Sequence, residues 1–189
     1  PADREGEVTL RFVERVSAVG GTCTIVRGET RAAQAVARIV ADAGARVIVA
    51  SDAPLVRRVL SHAADHSLAW RTIDEVSREE LFDCDVGVTT AQHGIAVSGT
   101  LVLESAEEKH RLLSLVPPVH VALLPVSRLC DSLAEALERV RTVDSSGILA
   151  SRTITFITGP SRTSDIELTL TIGVHGPQAL HVILLEEEP

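Results

Sequence analysis

Apolar residues along this chain fall into short runs separated by longer stretches with helical spacing. Val8 to Val19 places Val13, Val16 and Ala18 roughly on one helix face before Gly20-Gly21 breaks it, which predicts an N-terminal helix within residues 1–20. Thr22 to Val26 is β-branched and strand-like. Thr30 to Ala43 repeats Ala33, Val36, Ala37 and Val40 at helical spacing, with Gly44 as the stop. Arg46 to Ala50 reads as a buried strand, and Ser51-Asp52 as the cap of a helix with Pro54 in its first turn. Further strands are expected at Leu68–Thr72, Val86–Thr90, Gly99–Leu103, Val119–Leu124, Thr153–Ile157 and Leu180–Leu185. Capping-box spacing predicts helices starting at Ser77, at Ser105 (through Leu115) and at Ser164 (Asp165 to Ile172), and Ser127 to Arg141 is amphipathic. Residues 142–150 read as a polar turn.

Strand–helix alternation over most of the length predicts one α/β domain over residues 1–189. Its sheet is open and mainly parallel, with helices on both faces joined by right-handed crossovers. The 189 residues suffice for one core without staples. No apolar run approaches the roughly 20 residues of a membrane helix. No basic-then-apolar leader opens the chain, so a cytoplasmic location is expected.

Charge and composition remove several function classes. Residues 1–95 carry 11 basic and 14 acidic groups and residues 96–189 carry 7 and 12, so neither half offers the basic footprint of a nucleic-acid binder. With three Phe, one Trp and no Tyr there is no base-stacking platform either. Cys23, Cys84 and Cys130 are scattered, which argues against disulfides and against an intrinsic zinc or iron–sulfur site. His62 and His66 lack a third ligand at clear spacing, and no metal is assigned. The single lysine, Lys109, sits among acids, which excludes a Walker loop and a Schiff-base site.

In open parallel sheets, ligands bind beyond the carboxyl ends of strands where strand order reverses. Two loops carry dense small polar residues. The first is Thr89-Thr90-Ala91-Gln92-His93-Gly94 with Ser98-Gly99-Thr100, where glycines admit close backbone approach and hydroxyls donate to phosphate or carboxylate. The same residues also suit ordinary turns. The second is Thr158-Gly159-Pro160-Ser161-Arg162-Thr163-Ser164-Asp165-Ile166-Glu167. Its expected helix start beside Ser161, Arg162 and Thr163 would form an anion cradle, unless Asp165 and Glu167 neutralise it. His175, between Gly173 and Gly176, is a candidate acid–base group, and Glu104 at a strand end a candidate nucleophile or solvated neighbour of a helix cap.

The second loop, with Gly173-Val174-His175-Gly176-Pro177 and Leu180-His181-Val182-Ile183-Leu184, resembles the signature of the LUD-domain family of lactate utilization protein C (LutC/YkgG) type. Asp85-Val86-Gly87-Val88-Thr89 and Ser98-Gly99-Thr100-Leu101-Val102-Leu103 look like its central motif. The likeness covers residues 84–185. It implies a fold of the glucosamine-phosphate isomerase, ribose-phosphate isomerase and coenzyme A-transferase type (NagB/RpiA/CoA-transferase-like). It also implies a bacterial system oxidising L-lactate to pyruvate, in which partner subunits hold the iron–sulfur clusters and this chain holds no cofactor of its own. It carries over Thr89, Ser98, Gly99, Thr100, Gly159, Ser161, Arg162, Thr163, Asp165, His175 and Gly176 as pocket residues. The resulting expectation is a non-redox subunit binding a small anion, lactate or phosphate-like, near Arg162. A stand-alone isomerase or acyl-CoA transferase using Glu104, Asp165 and His175, and a pure assembly module, remain the alternatives. Each anion-site reading requires the Arg162 and Ser98 segments to meet in one hollow.

Overall fold

The computed structural model describes residues 2–63, 69–108, 111–140, 151–164, 170–173 and 175–187. In chain order the helices are α1 (Ala2–Ala18), α2 (Glu29–Asp42), α3 (Pro54–Ser61), α4 (Arg78–Leu81) and α5 (Leu133–Val140). The strands begin with β1 (Thr22–Arg27), β2 (Ile48–Ala50), β3 (Trp70–Thr72), β4 (Val86–Thr90), β5 (His93–Ile95) and β6 (Thr100–Glu104). They continue with β7 (Val119–Pro125), β8 (Leu129–Cys130), β9 (Ile154–Thr158), β10 (Arg162–Ser164), β11 (Leu170–Ile172) and β12 (Ala179–Glu186).

Six strands form an all-parallel sheet in the order β1-β12-β7-β4-β2-β3. This is the α/β architecture expected from the alternation of elements. Alternation along each central strand divides the core. Val121 and Leu123 of β7 join Val86 and Val88 of β4 under α2 and α3, which contribute Val36, Val40, Val56 and Val59. Ala122 and Leu124 face the other way, with Val182 and Leu184 of β12, toward Phe12 and Val16 of α1. A strand buried on both faces reads as a continuous apolar run, which is why these strands were legible.

Above α1 lies a second, four-stranded mixed sheet in the order β8-β5-β6-β9. The pattern did not separate it from the main sheet, because β5 and β8 are only three and two residues long. Its docking requires glycine. A Cβ on Gly99 (φ +66°) would lie 2.6 Å from the Arg15 and Val16 backbone, and one on Gly159 (φ +72°) would drive into the Val19 carbonyl oxygen.

Four local expectations need correction. Ser51-Asp52 does not cap α3: the N-cap is Ala53, with no side-chain cap hydrogen bond. The helix expected over Asp165 to Ile172 is replaced at its described residues by strand: β10 and β11 pair antiparallel, Arg162 with Ile172 and Ser164 with Leu170, while residues 165–169 lie outside the described residues. The Ser105 box also fails. Ser105 Oγ accepts from the backbone N–H groups of Arg152 and Thr153, and residues 105–107 form a turn followed by a 3-10 segment at Arg111–Ser114. Ser127–Arg141 opens with a 3-10 turn and β8, so α5 begins at Leu133. Ser77, by contrast, makes both bonds of its capping box. The polar turn expected at 142–150 lies outside the described residues.

One polar pair is sealed between β4 and β7: Thr89 Oγ1 lies 2.8 Å from His120 Nε2, and both residues are fully buried. Burial pushes the His120 imidazole down to about 4, with nearby His181 adding to the fall. A histidine depressed in the folded state contributes stability above its unfolded value of 6.5, and that contribution is lost as pH falls toward 4. The loss should reach roughly 3 kcal/mol across that window. Urea denaturation at pH 7 and pH 5 should therefore show a stability drop that is shallower in His120→Asn. The glycine contacts yield a second expectation. Gly159→Ala should destabilise by about 3 kcal/mol, combining left-handed strain with a backbone clash, while Gly44→Ala (φ +61°, open space) should cost about 1 kcal/mol. Equal losses in denaturant titrations would remove the packing argument.

Candidate functional site

The connection leaving β2 leads outward to β3, whereas the one leaving β4 leads the opposite way to β7. Strand order thus reverses between β2 and β4, and a crevice of about 730 Å³ opens beyond their carboxyl ends. Its lining includes Asp52, Arg58, Thr90, Gln92, Glu107 and Arg128. The Arg128 side chain is exposed and makes no ion pair or hydrogen bond with any described residue.

Behind this lining lies a buried polar network. The Thr90 backbone N–H and hydroxyl both donate to Glu108 Oε2, at 2.9 and 3.0 Å. Gln92 Nε2 donates to Thr90 Oγ1 at 2.9 Å, and Gln92 Oε1 accepts the Glu104 backbone N–H at 2.7 Å. Ser151 Oγ donates to Glu104 Oε2 at 3.1 Å, and His93 Nε2 lies 3.3 Å from Glu104 Oε1. Glu104, Glu108, Gln92 and His93 are all at most 8% exposed. Glu108 Oε1 has no partner among the described residues.

Burial dominates the electrostatics. It raises the Glu108 carboxyl, against the Thr90 donors and the Ser51 hydroxyl that favour its charged form. Burial also raises Glu104, against Ser151 and the Arg128 charge. His93 falls for the same reason, and Arg128 and Arg139 push it further. The His93–Glu104 pair is thus driven toward its uncharged state, in which one proton serves two groups. Chemically the arrangement can hold and exchange protons beside a free guanidinium. Among the described residues, no group of three or more His, Cys, Asp and Glu side chains could hold a metal.

The other sequence candidates sit elsewhere. Arg162 Nη2 donates to the Val19 carbonyl at the end of α1 (2.6 Å). Ser161 N–H donates to Pro177 O, Gly173 N–H donates to Ser161 O, and Gly176 packs beside Ser161. These contacts adjoin the first residues of β1 and β12, the amino edge of the parallel sheet. His175, in the same turn, is exposed. Thr163 is placed by its backbone in β10, and Asp165 lies outside the described residues. Ser98 and Thr100 do meet this segment: Thr100 Oγ1 lies 2.7 Å from Ser98 Oγ and 2.8 Å from Thr158 Oγ1.

The Ser98 and Arg162 segments therefore approach each other, flanked by Gly99 and Gly159 against α1. They do not share a hollow with Glu104, which lies at the other end of β6 from Thr100, four residues or about 13 Å along the strand. Thr89 points to His120 and lines neither place. The expected helix-start cradle falls on residues 165–169, outside the described residues, and the segments on either side pair as antiparallel strands, 162–164 with 170–172. The sequence points to the loop that carries Thr90, Gln92 and His93 without naming those three as site residues, and Glu108 and Arg128 are not among its candidates. The signal for the first three was the Thr89–Gly94 loop leaving a strand end; Glu108 was masked by its place in an apparent capping box.

Comparison with known proteins gives the family. Residues 10–185 match the LUD domain. The chain is 32% identical over 148 residues to lactate utilization protein C of an Exiguobacterium species, covering 76% of this chain and 63% of that protein. It is 40% identical over 132 residues to a protein of Neisseria meningitidis serogroup B, covering 69% and 55%, and 30% identical over 183 residues to YkgG of Escherichia coli, covering 93% and 78%. The match thus spans little more than half the length of several curated relatives. A crystal structure of a DUF162-family protein from Deinococcus radiodurans shares the fold, with a TM-score of 0.71 at 22% identity over 96% of this chain and 98% of that one. Matching along nearly its whole length, the chain belongs to the LUD-domain family.

Proposed function

We propose that this chain acts in lactate utilization as a cluster-free component that binds a small carboxylate, lactate or a close analogue, in the carboxyl-edge crevice. The observation that carries the reading is Arg128. It lines the crevice, its charge acts on the raised carboxyl of Glu104, and its side chain makes no ion pair or hydrogen bond with a described residue. A planar fork of donors left open in this way matches a carboxylate. The names of relatives from Exiguobacterium and Bacillus subtilis, lactate utilization protein C, support the choice of ligand.

Redox chemistry belongs, in this proposal, to iron–sulfur partner proteins. The cysteines of this chain suit thiols rather than cluster ligands: burial pushes Cys23 up to about 12 and Cys84 up to about 11, and raises Cys130. Among the described residues no helix is long and apolar enough to cross a membrane.

The Arg162 edge is a weaker place for the ligand, because its guanidinium already serves the carbonyl end of α1. The two arginines therefore separate the readings. Arg128→Ala should weaken L-lactate binding by roughly tenfold in calorimetric titration, as loss of one charge-assisted contact does, with melting almost unchanged. Arg162→Ala should lower stability by about 1 kcal/mol and leave the affinity intact. The reverse pattern would move the site to the amino edge.

A further inference from the structure

The directions of the hydrogen bonds behind the crevice can be assigned from chemistry alone. A backbone N–H only donates, so the Gln92 atom facing Glu104 N is the amide oxygen. The Gln92 nitrogen must then face Thr90 Oγ1 and donate to it. Having accepted that hydrogen, the Thr90 hydroxyl is left to donate its own to Glu108 Oε2, where the Thr90 N–H also arrives. Two donors converge on one carboxylate oxygen, and the other, Oε1, is left bare. The Ser51 hydroxyl lies beside the carboxyl without meeting Oε1 in hydrogen-bond geometry.

A bare carboxylate oxygen in a residue only 2% exposed is costly and calls for a partner that arrives. Its surroundings point to where that partner comes from. Thr90, which holds Oε2, and Ala106 and Glu107, which precede Glu108 in the chain, all line the crevice. Resting on the carboxylate reading above, we propose that Glu108 Oε1 reads the 2-position of the bound acid, accepting a hydrogen bond from a 2-hydroxyl and discriminating against a 2-oxo group. Arg128 holds the carboxylate end, and the 2-substituent lies on the side of the crevice lined by Thr90, Ala106 and Glu107. No bond is made or broken in this step; it is recognition, and Gln92 and Thr90 act as positioning residues that fix which oxygen is offered.

The probes are L-lactate and pyruvate, which differ at that position alone, titrated calorimetrically at pH 8 into the full chain. The wild-type protein should prefer L-lactate by roughly tenfold, the effect of one buried acceptor without a donor. In Glu108→Gln the amide oxygen takes the two Thr90 donors and the NH₂ group stands where Oε1 stood, so the preference should fall to parity or reverse toward pyruvate. Thr90→Val keeps the carboxyl but removes the hydroxyl that fixes its orientation, and should erode the preference even if Glu108→Gln fails to fold. Arg128-dependent binding of both acids with a ratio unchanged in either variant would overturn the role of Glu108 and leave the crevice reading standing. Binding of neither acid by the wild-type protein would overturn both.

Discussion

A parallel sheet covered on both faces leaves polar chemistry only at its two edges, and that constraint organises this molecule. Between the edges the described core is dominated by apolar side chains, with the polar Thr89–His120 pair sealed inside it. The carboxyl edge carries desolvated acids and the mouth of a crevice. The amino edge carries a hairpin, a glycine turn and an arginine fastened to a helix end.

This division explains why two polar loops that look alike in sequence differ in character. Around Arg162 the backbone amides pair within the hairpin and the turns, and the guanidinium neutralises the carbonyl end of α1. Around Thr90 the strand simply ends. Its last amide and hydroxyl point at a carboxylate, and the burial of that carboxylate raises its affinity for a proton.

The fold was legible because buried strands such as Val119–Pro125 are uniformly apolar, and helices such as Glu29–Asp42 repeat cleanly. Short segments were not. β5 and β8 have too few residues for any period to show, and the Ser105 and Ser164 boxes carry capping residues whose bonds go to distant strands or to a hairpin. Glu104 stood out as a strand-end carboxylate. Glu108 did not, because what sets it apart is its contact with Thr90 eighteen positions back, a relation that no local spacing encodes.

The order of strands has one more consequence. β12 lies between β1 and β7, so β1 pairs with a strand 159 positions further along the chain, Thr22 beside His181. During synthesis β1 therefore has no partner among the described strands of the main sheet until β12 has been made. Closure of so long a loop late in assembly makes for slow maturation, with an open strand edge waiting for its mate.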